Sequence, residues 1–103
     1  RRNHGDAADF ARLYLVPGMN HCSGGPATDQ FDMLSSLVAW VEKGQAPDRV
    51  IASARGAGNA GGANADLPAN WSPTRTRPLC PHPLAARYNG SGDMESAASF
   101  SCR

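Results

Sequence analysis

Among the side chains able to do chemistry near neutral pH, His21 has the most telling setting. It lies in residues 19–26, a stretch that also holds Cys22 and the pair Gly24-Gly25 and therefore reads as a loop. An imidazole with an ordinary pKa near 6.5 can take up a proton and return it, so a loop histidine can serve as general base and acid. A hydrogen-bonded structural histidine is the plainer reading. Cys22 belongs to a set of three cysteines with Cys80 and Cys102. An odd count leaves one thiol without an internal partner, either as a buried free thiol or in a bridge to sequence outside this chain. The other two could then close a loop, a usage that implies an oxidising compartment, secreted or periplasmic.

Other groupings have weaker spacing. A zinc site built from His21, Cys22, Cys80 and His82 lacks any Cys-x-x-Cys or comparable His pair. Ser23 suits loop capping. Gly90-Ser91-Gly92 has neither the G-x-S-x-G spacing nor the flanking strand and helix of a nucleophile elbow, so Ser91 reads as a turn residue. Arg75, Arg77 and Arg87 could gather a phosphate, although a solvated face or local ion pairs are the plainer reading. Asn70-Trp71-Ser72 and Asn89-Gly90-Ser91 are glycosylation sequons, relevant only to a eukaryotic source.

The elements that must position His21 come next. Residues 10–16 (Phe-Ala-Arg-Leu-Tyr-Leu-Val) are short, apolar and rich in strand formers, and Pro17-Gly18 stops them. After the histidine loop a helix is predicted, capped by Thr28 or Asp29. Phe31, Leu34, Leu37, Val38 and Val41 recur at helical spacing and, with Met33 and Trp40, make a wide apolar stripe for packing on a sheet. Lys43 suits the negative end of the helix dipole, Gly44 a left-handed cap, and Pro47 prevents resumption. Residues 49–54 read as a second strand. Strand, loop, helix and strand over residues 10–55 make a βαβ unit, which argues for an α/β fold with a mainly parallel sheet. Residues 56–70, rich in Gly, Ala and Asn, read as a flexible loop. The tail, residues 71–103, reads as extended and coil-like, with a short helix over 94–100.

Composition narrows the partners. The net charge is +1 and only 18% of the 103 residues are charged, so nothing electrostatic points to a nucleic acid or a membrane surface. No apolar run approaches the roughly 20 residues that span a bilayer. Residues 1–9 are polar, have no apolar signal-peptide core, and read as a connection in the middle of a longer protein. A chain of this size buries only roughly two-thirds of its unfolded surface, so its fold is marginal without further support.

The run Leu15-Val16-Pro17-Gly18-Met19-Asn20-His21-Cys22-Ser23-Gly24-Gly25-Pro26 resembles the histidine motif of the tannase and feruloyl esterase family. Further matching blocks follow in order: Phe31-Asp32-Met33-Leu34, Trp40-Val41-Glu42-Lys43-Gly44, Ala46-Pro47-Asp48-Arg49, Arg75-Thr76-Arg77-Pro78-Leu79-Cys80-Pro81, Ala86-Arg87-Tyr88 and Gly90-Ser91-Gly92-Asp93. Residues 16–33 in particular resemble the bacterial branch of that family that includes hydrolases of terephthalate half-esters, and other aromatic-acid esterases share similar blocks. The resemblance implies that residues 1–103 are the C-terminal part of an α/β-hydrolase domain, with a Ser-His-Asp triad in that family's chain order of serine, aspartate, histidine. His21 matches the triad histidine. Cys22 matches a cysteine that pairs with one directly before the nucleophile, in a missing upstream segment. Cys80 and Cys102 match a second, C-terminal disulfide. The triad aspartate should precede His21, and Asp6 and Asp9 lie too close to the strand start to serve.

The resemblance also implies a calcium ion in a lid absent from this segment, so no cofactor is expected here. The implied partners are a small aromatic ester and the upstream part of the same protein. The fragment alone should be inactive. The contrasting reading is a small secreted binding module, stapled by disulfide, with His21 structural.

Overall fold

Asp32 starts the helix. Its Oδ1 accepts the backbone N–H of Ser35 at 3.0 Å and its Oδ2 accepts the Ser35 hydroxyl at 2.6 Å, satisfying an amide that has no partner within the first turn. In the computed structural model, which describes residues 10–103, helix α1 runs Met33–Lys43. Gly44 ends it at φ 69°, and the N–H groups of Gly44 and Gln45 turn back to the carbonyls of Trp40 and Ala39. The predicted caps Thr28 and Asp29 lie too early. Gln30 exchanges both backbone hydrogen bonds with Ser53, at 3.1 and 2.8 Å, which holds the preceding residues extended beside the next strand.

That strand, β1 (Val50–Ser53), pairs antiparallel with β2 (Thr76–Leu79), with Val50 opposite Leu79 and Ser53 opposite Thr76. A second antiparallel pair joins β3 (Ala86–Tyr88) to β4 (Phe100–Cys102). Between them, residues 97–99 form one 3₁₀ turn in place of the short helix expected over 94–100. The expected parallel arrangement is therefore not what the described residues form. Residues 10–16 contribute only an isolated bridge, Tyr14 to Pro81, with the His82 N–H donating to the Leu13 carbonyl at 2.6 Å. Strand-forming composition makes that segment extended but does not choose its neighbour, and the partner of β1 comes from the tail instead. Residues 1–9, including Asp6 and Asp9, lie outside the described residues.

The core sits on the inner face of the first pair. Val50, Ala52 and Leu79 are buried together, and Tyr14, Val16, Phe31 and Met33 pack around them. Tyr14 donates its hydroxyl to the Pro47 carbonyl at 2.6 Å, and Arg12 donates to the same carbonyl while lying over the Trp40 ring. The rest of the helical stripe is bare among the described residues: Leu34, Leu37, Val38 and Val41 are exposed, as are Leu13 and Leu15.

Cys80 and Cys102 are joined, with Cα atoms 5.5 Å apart, so the end of β2 is bonded to β4 and the two sheets are held together. Closing a loop across 22 positions is worth about 3 kcal/mol in the chain-entropy description. Glu95 strengthens the same junction. Its carboxylate pairs with Arg75, its Oε1 accepts the Ser72 N–H, and its backbone carbonyl accepts the Thr76 N–H.

Candidate functional site

The chain between Val16 and Pro26 folds into a tight, self-bonded loop. Met19 N–H donates to the Val16 carbonyl at 3.3 Å, and Asn20 N–H donates to the Gly24 carbonyl at 3.1 Å. His21 and Cys22 stand at the tip between those contacts, both exposed. Cys22 takes φ 73°, a left-handed conformation that non-glycine residues seldom adopt. Its Sγ lies 3.1 Å from His21 Nδ1 and is a free thiol here. Among the described residues no carboxylate and no hydroxyl is hydrogen-bonded to the ring.

The root of the loop is built from residues that sequence reasoning did not assign to the site. Gly24 N–H donates to Asp29 Oδ2 at 2.7 Å. Arg55 holds the same carboxylate in a fork, Nε to Oδ1 at 2.9 Å and a terminal nitrogen to Oδ2 at 2.7 Å. The Asp29 side chain is wholly shielded from solvent. Its hydrogen bond to Arg55 holds the carboxyl below the usual carboxylate range, with the Gly24 N–H assisting against the opposing effect of burial. Gly25, at φ 80°, lies against the preceding turn so closely that a Cβ there would collide with the Gly18 carbonyl. The only sequence signal for this root is the pair Gly24-Gly25. Asp29, which the sequence offered as a helix cap, is spent on Gly24 and Arg55.

A depressed carboxyl fixes the sign of a pH effect. Stability from the Asp29–Arg55 contact should be fully present above the unfolded carboxyl value of about 3.9 and be lost as pH falls through the lower folded value. Asp29→Asn should therefore lower the melting temperature at pH 7, and the gap to wild type should narrow below about pH 4. A gap that stays constant from neutral to strongly acid pH would reject this assignment.

The remaining candidates are dispersed. Cys80 is in a disulfide and is not available as a thiolate, and His82 is exposed. Among the described residues no three His, Cys, Asp or Glu side chains cluster as a metal would need. Each of the three arginines has a local partner. Arg75 pairs with Glu95 and stacks on Trp71, Arg77 lies over Phe100, and Arg87 donates to the Arg103 carbonyl at 2.8 Å. A recess of about 720 Å³ runs beside Gln30, Ile51 and Asn59, and one of about 340 Å³ lies between Pro26, Trp71 and Phe100; neither is lined by His21.

A family model described as tannase and feruloyl esterase matches residues 2–103. The chain belongs to the tannase and feruloyl esterase family. Within that family, mono(2-hydroxyethyl) terephthalate hydrolase of Piscinibacter sakaiensis is 58% identical over 96 residues, covering 93% of this chain and 14% of that protein. A probable feruloyl esterase of Arthroderma benhamiae is 40% identical over 96 residues, covering 91% of this chain and 16% of that protein. The crystal structure of an esterase from Aspergillus oryzae matches with a TM-score of 0.70 at 26% identity, covering 97% of this chain and 21% of that one. That likeness supports a hydrolase-like fold. The chain spans less than a quarter of the length of each of these tannase and feruloyl esterase relatives. No helix among the described residues is long and apolar enough to cross a membrane.

Proposed function

We propose that this chain is the base-bearing segment of a secreted or periplasmic serine esterase acting on aromatic-acid esters. Feruloyl, galloyl and terephthaloyl half-esters are the acyl classes considered. The observation that carries the reading is an exposed histidine on a braced loop, with no carboxylate and no hydroxyl hydrogen-bonded to its ring among the described residues, in a chain whose relatives are named esterases and hydrolases. His21 would receive the proton of a serine hydroxyl as that oxygen attacks the ester carbonyl, then return it to the departing alcohol. It would next take a proton from water to release the acid. The serine and the aspartate lie in the part of the polypeptide outside this chain.

Cys22 fits the same scheme. Joined to a cysteine beside the nucleophile, it would tie the base loop to the nucleophile loop. It would also remove its S–H from His21 Nδ1, freeing that nitrogen to donate to the triad aspartate. The bonded Cys80–Cys102 pair supports the oxidising location. No observation favours the binding-module reading over this one.

The test compares two preparations. The full polypeptide should hydrolyse at least one of methyl ferulate, a gallate ester or mono(2-hydroxyethyl) terephthalate, and a serine-directed inhibitor should abolish this. Residues 1–103 alone should show no turnover above buffer. Inhibitor-sensitive hydrolysis by the short chain, or none by the full polypeptide on any of the three, overturns the proposal.

A further inference from the structure

Residues 56–70 contain neither helix nor strand, yet two of their side chains grip the backbone of one glycine at the root of the histidine loop. Gly25 N–H donates to Asp66 Oδ2 at 3.0 Å, and the Gly25 carbonyl accepts Asn64 Nδ2 at 2.9 Å. Asn64 is 7% exposed, and its Oδ1 accepts the Asp66 N–H at 3.0 Å, so both ends of its amide are used and the two residues brace each other. Asn64 N–H donates in turn to the Arg55 carbonyl at 2.7 Å, just beyond β1. Arg55 is the residue that holds Asp29 against Gly24, and it also donates to the Gly62 carbonyl at 3.2 Å.

Three backbone polar groups of the loop root are therefore held by side chains: Gly24 N–H, Gly25 N–H and the Gly25 carbonyl. The chain of contacts then reaches the histidine directly, because the Gly24 carbonyl accepts the N–H of Asn20, next to His21. Surface loops ordinarily satisfy such groups with water or with their own backbone. Here a buried amide and a carboxylate from some 40 residues away are spent on one glycine. Glycine at positive φ has much conformational freedom to lose, so an unheld root would let the tip wander. Proton transfer demands a base within about 3 Å of the hydroxyl it serves.

We infer that Asn64 and Asp66 are positioning residues for His21, fixing the base through the Gly24-Gly25 root without touching substrate. This rests on the reading of His21 as general base. A misplacement of about 1 Å at a reacting group can cost about 100-fold in rate. That sets the expected scale for losing the grip.

The test uses the full polypeptide with three variants. Asp66→Ala removes the acceptor for Gly25 N–H. Asp66→Asn removes the charge but keeps an acceptor oxygen. His21→Ala controls for the parent reading. Asp66→Ala should lower kcat by roughly 30- to 100-fold with KM within about threefold, and Asp66→Asn should recover kcat to within about fivefold of wild type. Equal kcat losses in the two Asp66 variants, or a kcat for Asp66→Ala within about threefold of wild type, overturn the inference. If Asp66→Ala does not accumulate folded, Asn64→Asp gives the same reading, since it sets a carboxylate oxygen against the Gly25 carbonyl: a kcat loss at unchanged KM supports the inference and an unchanged kcat overturns it. His21→Ala inactive with Asp66→Ala fully active sinks this inference alone. An active His21→Ala sinks the esterase reading beneath it.

Discussion

His21→Ala in the full polypeptide should lower kcat by three orders of magnitude or more, about 4 kcal/mol of transition-state stabilisation, while KM changes by less than about threefold. The reason is that a serine hydroxyl is a poor nucleophile at neutral pH until a base removes its proton in the transition state, so losing the base affects the barrier and not substrate binding. The structure adds an expectation about stability. The ring is exposed at the loop tip and its one hydrogen-bonding neighbour among the described residues is the adjacent Cys22, so the melting temperature should scarcely move. A structural histidine predicts the reverse pattern, a destabilised protein with near-normal activity per folded molecule. Retention of more than about a tenth of wild-type kcat, a loss of only about 1.4 kcal/mol, would remove the general-base assignment.

Leu79→Ala should give the opposite signature. Leu79 is 2% exposed, pairs across from Val50, and is the largest fully buried side chain among the described residues. Truncating it removes apolar contact and leaves a cavity beneath Tyr14, Val16, Phe31 and Met33, at an expected cost of about 2–5 kcal/mol. Urea unfolding measures this directly through the transition midpoint, and kcat per folded molecule should stay near wild type. A loss under about 1 kcal/mol would mean that the site collapses onto the gap or that the core is elsewhere.

What the sequence discloses and what it hides divide along the range of the interactions. The helix at Met33–Lys43, its Gly44 end and the strand near Val50 are written in local spacing, and all are found there. The start of the helix is misread because Thr28, Asp29 and Asp32 are all good caps by type. The choice among them depends on Gln30 bridging to Ser53, more than 20 residues away. The parallel sheet fails for a related reason. A strand, helix and strand in succession imply parallel pairing only when both strands join one sheet, and here Tyr14 meets Pro81 while Val50 meets Leu79. The stripe of Leu34, Leu37, Val38 and Val41 is sound as a pattern, but no described residue covers it, in a chain that spans under a quarter of its relatives. His21 stands out in the sequence because a whole motif surrounds it. Arg55, Asn64 and Asp66 are not, since contacts made across 26 to 41 positions leave no period to detect.

The grip of Asn64 and Asp66 on Gly25 also sets an order of events during synthesis. A ribosome makes the histidine loop first and the residues that brace it 39 and 41 positions later. At roughly 5–20 residues per second, that interval is on the order of 2–8 s, during which the nascent loop exists without its anchor. The bridge from Tyr14 waits longer still, for Pro81, and the disulfide waits for Cys102. A nascent chain cut short between residues 26 and 63 would carry the histidine loop without the two side chains that hold Gly25.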